Sequence, residues 1–247
     1  MQTLTPSALG QHLQSQSTRQ VIQPLTTAMR IVALGDSLIY GYGDYEGGGW
    51  VERLRRVWMA PNAPHHALYN LGVRGDGVQQ VLQRLETEIR HRGELRNRLP
   101  DRIILSVGVN DSARLGRPDG RNMTDFAVFQ AHIEQLLIEA QQLCPVCFVG
   151  MLPTNPAAMP FLDCLYYNHA DQYRYKEAIA QACQRHSVPY LDLFDLWLSR
   201  GESWWQTRLG PDGLHPNVQG YTTIWQTVLR WAPIAQLNQA LLNPDAR

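Results

Sequence analysis

Ile31-Val32-Ala33-Leu34-Gly35-Asp36-Ser37-Leu38 is the stretch on which the reading of this chain turns. Four apolar residues followed by a glycine and a polar pair describe a short strand, buried on both faces, that ends in a turn. Such strands belong to parallel sheets covered by helices, and those sheets hold their chemistry just outside the carboxyl ends of their strands. Ser37 stands at that place.

Working outward, strand-like and helix-like segments alternate from Arg30 onward. Strand candidates lie near 30–35, 66–71, 102–107, 146–151 and 188–192. Helical spacing is clearest at Val78, Val81, Leu82, Leu85 and Ile89, and again at Phe126, Phe129, Ile133, Leu136, Leu137 and Ala140. Tyr221, Ile224, Trp225 and Val228 mark a last helix. The alternation predicts a single α/β domain, a three-layer αβα arrangement with a five-stranded parallel sheet in the flavodoxin-like order.

At the far end, Asp212-Gly213-Leu214-His215-Pro216 sets a carboxylate and an imidazole three residues apart, with a glycine between them for a tight backbone. A serine hydroxyl is a weak nucleophile until an imidazole takes its proton, and a carboxylate fixes which imidazole nitrogen is free to do so. Two further segments follow strand-like runs. Asn70-Leu71-Gly72 offers an unobstructed backbone N–H and Gly108-Val109-Asn110-Asp111 a side-chain amide, both suited to hold an oxyanion. Taken singly, each has a plainer reading: a turn serine, a loop histidine, an Asx turn at Asn110, a backbone requirement at Gly72. Asp36 and Asp111 read as structural.

Together, Ser37 in Gly-Asp-Ser, Gly72, Asn110 in Gly-Val-Asn-Asp and His215 in Asp-Gly-Leu-His-Pro, in that order, resemble the GDSL-type or SGNH hydrolases over roughly Arg30 to Trp231. The resemblance implies Ser37 as nucleophile, His215 as base and Asp212 as its partner. It further implies the Ser37 N–H, the Gly72 N–H and the Asn110 side chain as oxyanion donors, in a lipase- or esterase-like acylhydrolase that needs no cofactor and no metal. An acyltransferase or thioesterase would use the same residues, and a non-catalytic binding module is the rival from another class.

Lys plus Arg equals Asp plus Glu at 22 each in a chain of 247 residues, so charge gives no reason to expect nucleic acid as a partner, and the expected partner is a small-molecule ester. No segment has the apolar length of a membrane span and no secretory leader is legible, from which a cytoplasmic location is expected. Residues 1–28, rich in Gln, Ser and Thr, read as an N-terminal extension, with translation from Met29 as one hypothesis. Residues 29–232 read as the hydrolase domain and 233–247 as a C-terminal tail. Gly41, Gly43, Gly47, Gly48 and Gly49 lack a phosphate-binding signature and read as a flexible loop beside the nucleophile. Cys144-Pro145-Val146-Cys147 resembles a redox dithiol but joins a helix to a strand, the reverse of the thioredoxin arrangement. Trp204, Trp205 and the Pro153 to Tyr167 loop are candidates for the walls of a substrate pocket, with core packing as the equal alternative.

Overall fold

The protein is described by a computed structural model covering residues 28–61, 63 and 65–239. The proposed N-terminal extension lies outside these residues, apart from position 28. Among the described residues, seven strands, β1 (Arg30–Gly35), β2 (Ala67–Gly72), β3 (Arg102–Ser106), β4 (Arg114–Leu115), β5 (Val146–Val149), β6 (Leu165–Tyr166) and β7 (Tyr190–Leu191), form two sheets. The larger has the order β2-β1-β3-β5-β7 with every pairing parallel, which is the flavodoxin-like arrangement. In the smaller, β4 and β6 pair antiparallel and tie together the loops that follow β3 and β5.

Helices α1 (Ser37–Tyr40), α2 (Gly49–Trp58), α3 (Val78–His91), α4 (Phe126–Leu143), α5 (His169–Arg185), α6 (Leu193–Leu198), α7 (Glu202–Gln206), α8 (Val218–Arg230) and α9 (Ala232–Gln239) complete the fold. The strand period of two divides their partners into two layers. Val32, Leu34, Ile103 and Leu105 face the apolar stripes of α3, α4 and α5, carried by residues such as Val81, Leu85, Ile133, Leu137 and Ile179. Ile31, Ala33, Ile104 and Cys147 face the other way, onto Trp50 and Leu54 of α2, Trp197 of α6 and Tyr221 and Ile224 of α8. A run of apolar residues at both parities is what a sheet buried on both faces demands.

Two expectations shift. The final sheet strand is only Tyr190–Leu191, because an edge strand is held on one side and its register with β5 spans only those two residues. The stretch read as a tail from residue 233 begins inside α9, whose Ile234 and Leu237 are buried against the layer of α2 and α8, so Tyr221 to Val228 belong to the penultimate helix. Among the described residues no helix is long and apolar enough to cross a membrane.

Candidate active site

Ser37 is placed by a sharp strand-to-helix turn. The Asp36 carboxylate accepts the Leu38 N–H at 2.9 Å and so caps α1, which stops after four residues at Gly41 in the left-handed region. The Ser37 N–H donates to no group among the described residues, as expected for the first residue of a helix. From α8, the Tyr221 hydroxyl donates to the Ser37 carbonyl oxygen at 3.4 Å.

The histidine comes from a loop closed on itself. Asp212 Oδ1 accepts the N–H groups of Leu214 (3.0 Å) and His215 (2.9 Å), and the Gly210 N–H donates to the His215 carbonyl at 2.7 Å. Gly213 lies at φ 64°, and a Cβ there would meet Ala158 at 2.5 Å. The other Asp212 oxygen, Oδ2, is 2.7 Å from His215 Nδ1, and His215 Nε2 is 2.9 Å from Ser37 Oγ. Burial alone would raise the Asp212 carboxyl, but the His215 side chain and the two turn amides hold it below its ordinary value. An ionised carboxylate only accepts, so Nδ1 carries the proton and Nε2 is left to accept the serine hydroxyl. The His215 ring is clasped by Tyr42, with centroids 4.6 Å apart, and by Phe161, at 5.6 Å.

Asn110 follows Gly108, whose φ of 122° turns the chain at the end of β3. Its Nδ2 donates to the Asp76 carbonyl at 2.9 Å and its Oδ1 accepts the Tyr167 hydroxyl at 3.3 Å. With one amide hydrogen and the oxygen committed, the second hydrogen on Nδ2 remains to donate. Asp111 does the structural work expected of it, accepting the Val78 N–H at 3.0 Å to cap α3 and the Thr124 hydroxyl at 2.7 Å.

Gly72 departs from the expectation. Its N–H is spent on Asn70 Oδ1 at 3.1 Å, and a Cβ on it would lie 2.1 Å from the Tyr40 nitrogen. The glycine is there because α1 passes directly over β2. In the turn that follows β2, the N–H groups of Arg74 and Gly75 both donate to nothing among the described residues, and Gly75, at φ 85°, has open space where a Cβ would stand. Its neighbour Asp76 supplies the carbonyl that holds Asn110. Arg84 fixes this loop by donating to Asp76 (2.7 Å), to the Leu71 carbonyl (3.0 Å) and to the Gly35 carbonyl just ahead of the serine turn (2.8 Å).

The glycine-rich loop is tied rather than free. Asp44, fully buried in its side chain, accepts the N–H groups of Gly47 and Gly49 and the Arg53 guanidinium, which holds its carboxyl low against the opposing effect of burial. A groove of about 930 Å³ runs beside His215, walled by residues 40–45 and by parts of 210–219. Neither tryptophan reaches it. Trp205 is buried in the core with its ring 5.5 Å from His169, and Trp204 lines a separate depression under Arg208. Of the Pro153 to Tyr167 loop, Phe161 lies against the His215 ring, the Tyr167 hydroxyl reaches Asn110, and the Asn155 N–H donates to the Gly213 carbonyl at 2.6 Å. Sequence reasoning missed Tyr42, Gly75, Asp76 and Arg84; the glycine-flanked turn Gly75-Asp76-Gly77 ahead of an amphipathic helix was the one legible signal.

Among the described residues, Glu177, Asp192 and Asp195 converge, but the Lys176 ammonium already sits on them, 2.7 Å from Asp192 and 2.5 Å from Asp195. Burial pushes the Cys144 thiol up to about 12 and Cys147 up to about 11, which disfavours the thiolate that disulfide exchange needs.

The sequence matches the GDSL-like Lipase/Acylhydrolase family over residues 33–223. The chain belongs to this family. Among solved structures, the lipase/acylhydrolase from Enterococcus faecalis superposes with a TM-score of 0.65 at 22% identity, covering 82% of this chain and 94% of that one. A catalytic mutant of an acetylxylan esterase from Geobacillus stearothermophilus superposes with a TM-score of 0.62 at 15% identity, covering 82% and 93%. These two likenesses show the SGNH fold. In sequence, platelet-activating factor acetylhydrolase IB subunit alpha1 from Homo sapiens is 32% identical over 133 residues, 54% of this chain and 48% of that protein. The matched stretch thus spans about half the length of the curated relatives.

Proposed function

We propose that this family member hydrolyses carboxylic esters bearing a short acyl group, through an acyl-enzyme formed on Ser37. The observation that carries the reading is the unbroken hydrogen-bonded line from Ser37 Oγ through His215 to Asp212, at 2.9 and 2.7 Å. His215 Nε2 takes the hydroxyl proton as Oγ attacks the ester carbonyl, and the imidazolium is held by Asp212. The Ser37 N–H, the Gly75 N–H and the second amide hydrogen of Asn110 receive the developing oxyanion; Gly75 takes the part that Gly72 has no free donor to play. The imidazolium then protonates the departing alcohol, and water repeats the sequence to release the acid.

A short acyl group is supported by the covering of the site. Phe161 lies against His215 on the loop side, Met159 and Leu165 pack into the core, and each methylene that finds burial is worth about 0.8 kcal/mol, so gain should stop after a few carbons. The names of the human relative and of the xylan esterase, both acting on acetyl groups, agree with it. Four unpaired cysteines suit a reducing compartment, and cytoplasmic residence is part of the proposal.

The test is a fluorophosphonate label followed by p-nitrophenyl esters from acetate to palmitate. Labelling at Ser37, with kcat/KM highest between acetyl and butyryl, is the expected result. Labelling absent from Ser37 would defeat the mechanism, and a steady rise to palmitate would defeat the short-acyl assignment.

A further inference from the structure

Returning the proton fixes where the alcohol half of the ester lies. The imidazole that deprotonates Ser37 must also reach the leaving oxygen, so the alcohol passes alongside His215, away from the oxyanion donors. Alongside His215 and Asp212 lies a groove of about 930 Å³. It is far larger than a one- or two-carbon alcohol requires and lies within the range of sites that bury whole ring-bearing ligands.

Its outer wall carries three tyrosines in six residues. Tyr42 stands edge-on to His215 at 4.6 Å and is backed by the Arg74 guanidinium, 3.7 Å from its centroid. Tyr40 is 53% exposed and Tyr45 88% exposed, an unusual display for aromatic rings on a loop pinned by the buried Asp44. The hydroxyls of all three, and the amide of Gln219 on the facing wall, make no hydrogen bond among the described residues, although Tyr42, Tyr45 and Gln219 line one groove. Rigid aromatic faces interleaved with unspent hydroxyl and amide groups match a ring that has both a C–H face and a rim of hydroxyls.

We propose that this groove is the alcohol subsite of the enzyme and that it takes a sugar-sized polyhydroxylated ring, making short-acylated carbohydrate the substrate class. The assignment rests on the ester-hydrolase reading above. Ser37 Oγ bonds to the acyl carbon and the ester C–O bond breaks. The sugar hydroxyl leaves with the proton from His215 Nε2, and water releases the carboxylic acid and restores Ser37.

The experiment compares xylose tetraacetate, phenyl acetate and ethyl acetate as substrates of the full chain and of Tyr45→Ala, whose exposed ring makes misfolding improbable and whose melting temperature is checked alongside. Expected is a wild-type preference for the sugar acetate. In the variant, the sugar-to-ethyl ratio of kcat/KM falls roughly tenfold, the worth of one aromatic contact, through a raised KM. An unchanged ratio would overturn the subsite. A fall confined to phenyl acetate would overturn its assignment to carbohydrate. Failure to hydrolyse any acetate would instead bring down the ester-hydrolase reading, and the subsite with it.

Discussion

The Tyr167 hydroxyl donates to Asn110 Oδ1 over 3.3 Å from a ring that is itself buried. Burial pushes the phenol up, so it stays a donor across the working range of pH, and with Asp76 on Nδ2 it leaves the Asn110 amide one orientation. Tyr167→Phe should therefore lower kcat about two- to tenfold with KM nearly unchanged, the worth of one neutral hydrogen bond. In an Asn110→Ala background the same change should do nothing more. Independent, multiplying effects would show that Tyr167 does not act through Asn110.

Asn110→Ala itself should cost roughly 10²–10³-fold in kcat, the usual penalty for one oxyanion donor. Steady-state kinetics on p-nitrophenyl acetate measure it, and a loss under threefold would return Asn110 to a purely structural role at the end of β3.

Ser37→Ala and His215→Ala should each remove about 10⁴-fold or more of the turnover, and the double variant no more than either alone, since the pair acts as a unit. Asp212→Asn keeps an oxygen for the Leu214 and His215 amides but presents N–H to Nδ1, favouring the wrong tautomer; a loss of about 10³-fold or more is expected with the fold intact. Circular dichroism alongside the kinetics separates lost chemistry from lost structure.

Gly72→Ala and Gly75→Ala should part company. At Gly72 a Cβ would fall 2.1 Å from the Tyr40 nitrogen, and a backbone collision of that size should cost about 3 kcal/mol or more. At Gly75 the space is open and only the left-handed conformation is penalised, by about 1–2 kcal/mol. Urea unfolding curves for the two variants decide it; equal losses would refute the close-approach account.

Asp36 sets a pH signature. Complete burial, opposed in part by the Leu38 amide and aided by the nearby Asp111 and Asp76, raises its carboxyl from 3.8 to about 7, and Oδ2 has no partner among the described residues. Below 3.8 the group is neutral folded or unfolded. Between there and about 7 the unfolded chain has released the proton that the folded protein keeps, so this group's contribution to stability falls as pH rises, then levels. Asn keeps the helix-capping oxygen and carries no charge. The melting temperature of Asp36→Asn minus that of wild type should climb from pH 4 to pH 7, and parallel curves would show that Asp36 is not the source.

The sequence by itself determined the layers and pointed to the hydrogen-bonded line of Ser37, His215 and Asp212. Apolar runs at both parities, as in Ile31 to Leu34, suit a strand of a parallel sheet covered on both faces, and helical stripes such as Val78, Val81, Leu85 and Ile89 supply the cover. Ser37, Asp212 and His215 were legible because the Asp-Gly-Leu-His turn is local: Asp212 both bonds its own loop amides and meets the imidazole three residues on. What only the tertiary structure decided depends on groups far apart in the chain. Gly72 and Gly75 look alike as residues, and their roles differ because α1 crosses one and leaves the other open. Tyr167 and Asn110 are 57 positions apart and meet because the β4–β6 ribbon ties their loops together. Trp204 and Trp205 lie close to Asp212 in sequence, yet Trp205 turns into the core and Trp204 into a depression of its own. Periodicity records which face of an element is buried, but which loops meet above the sheet depends on how the elements pack, and no short stretch of sequence carries that.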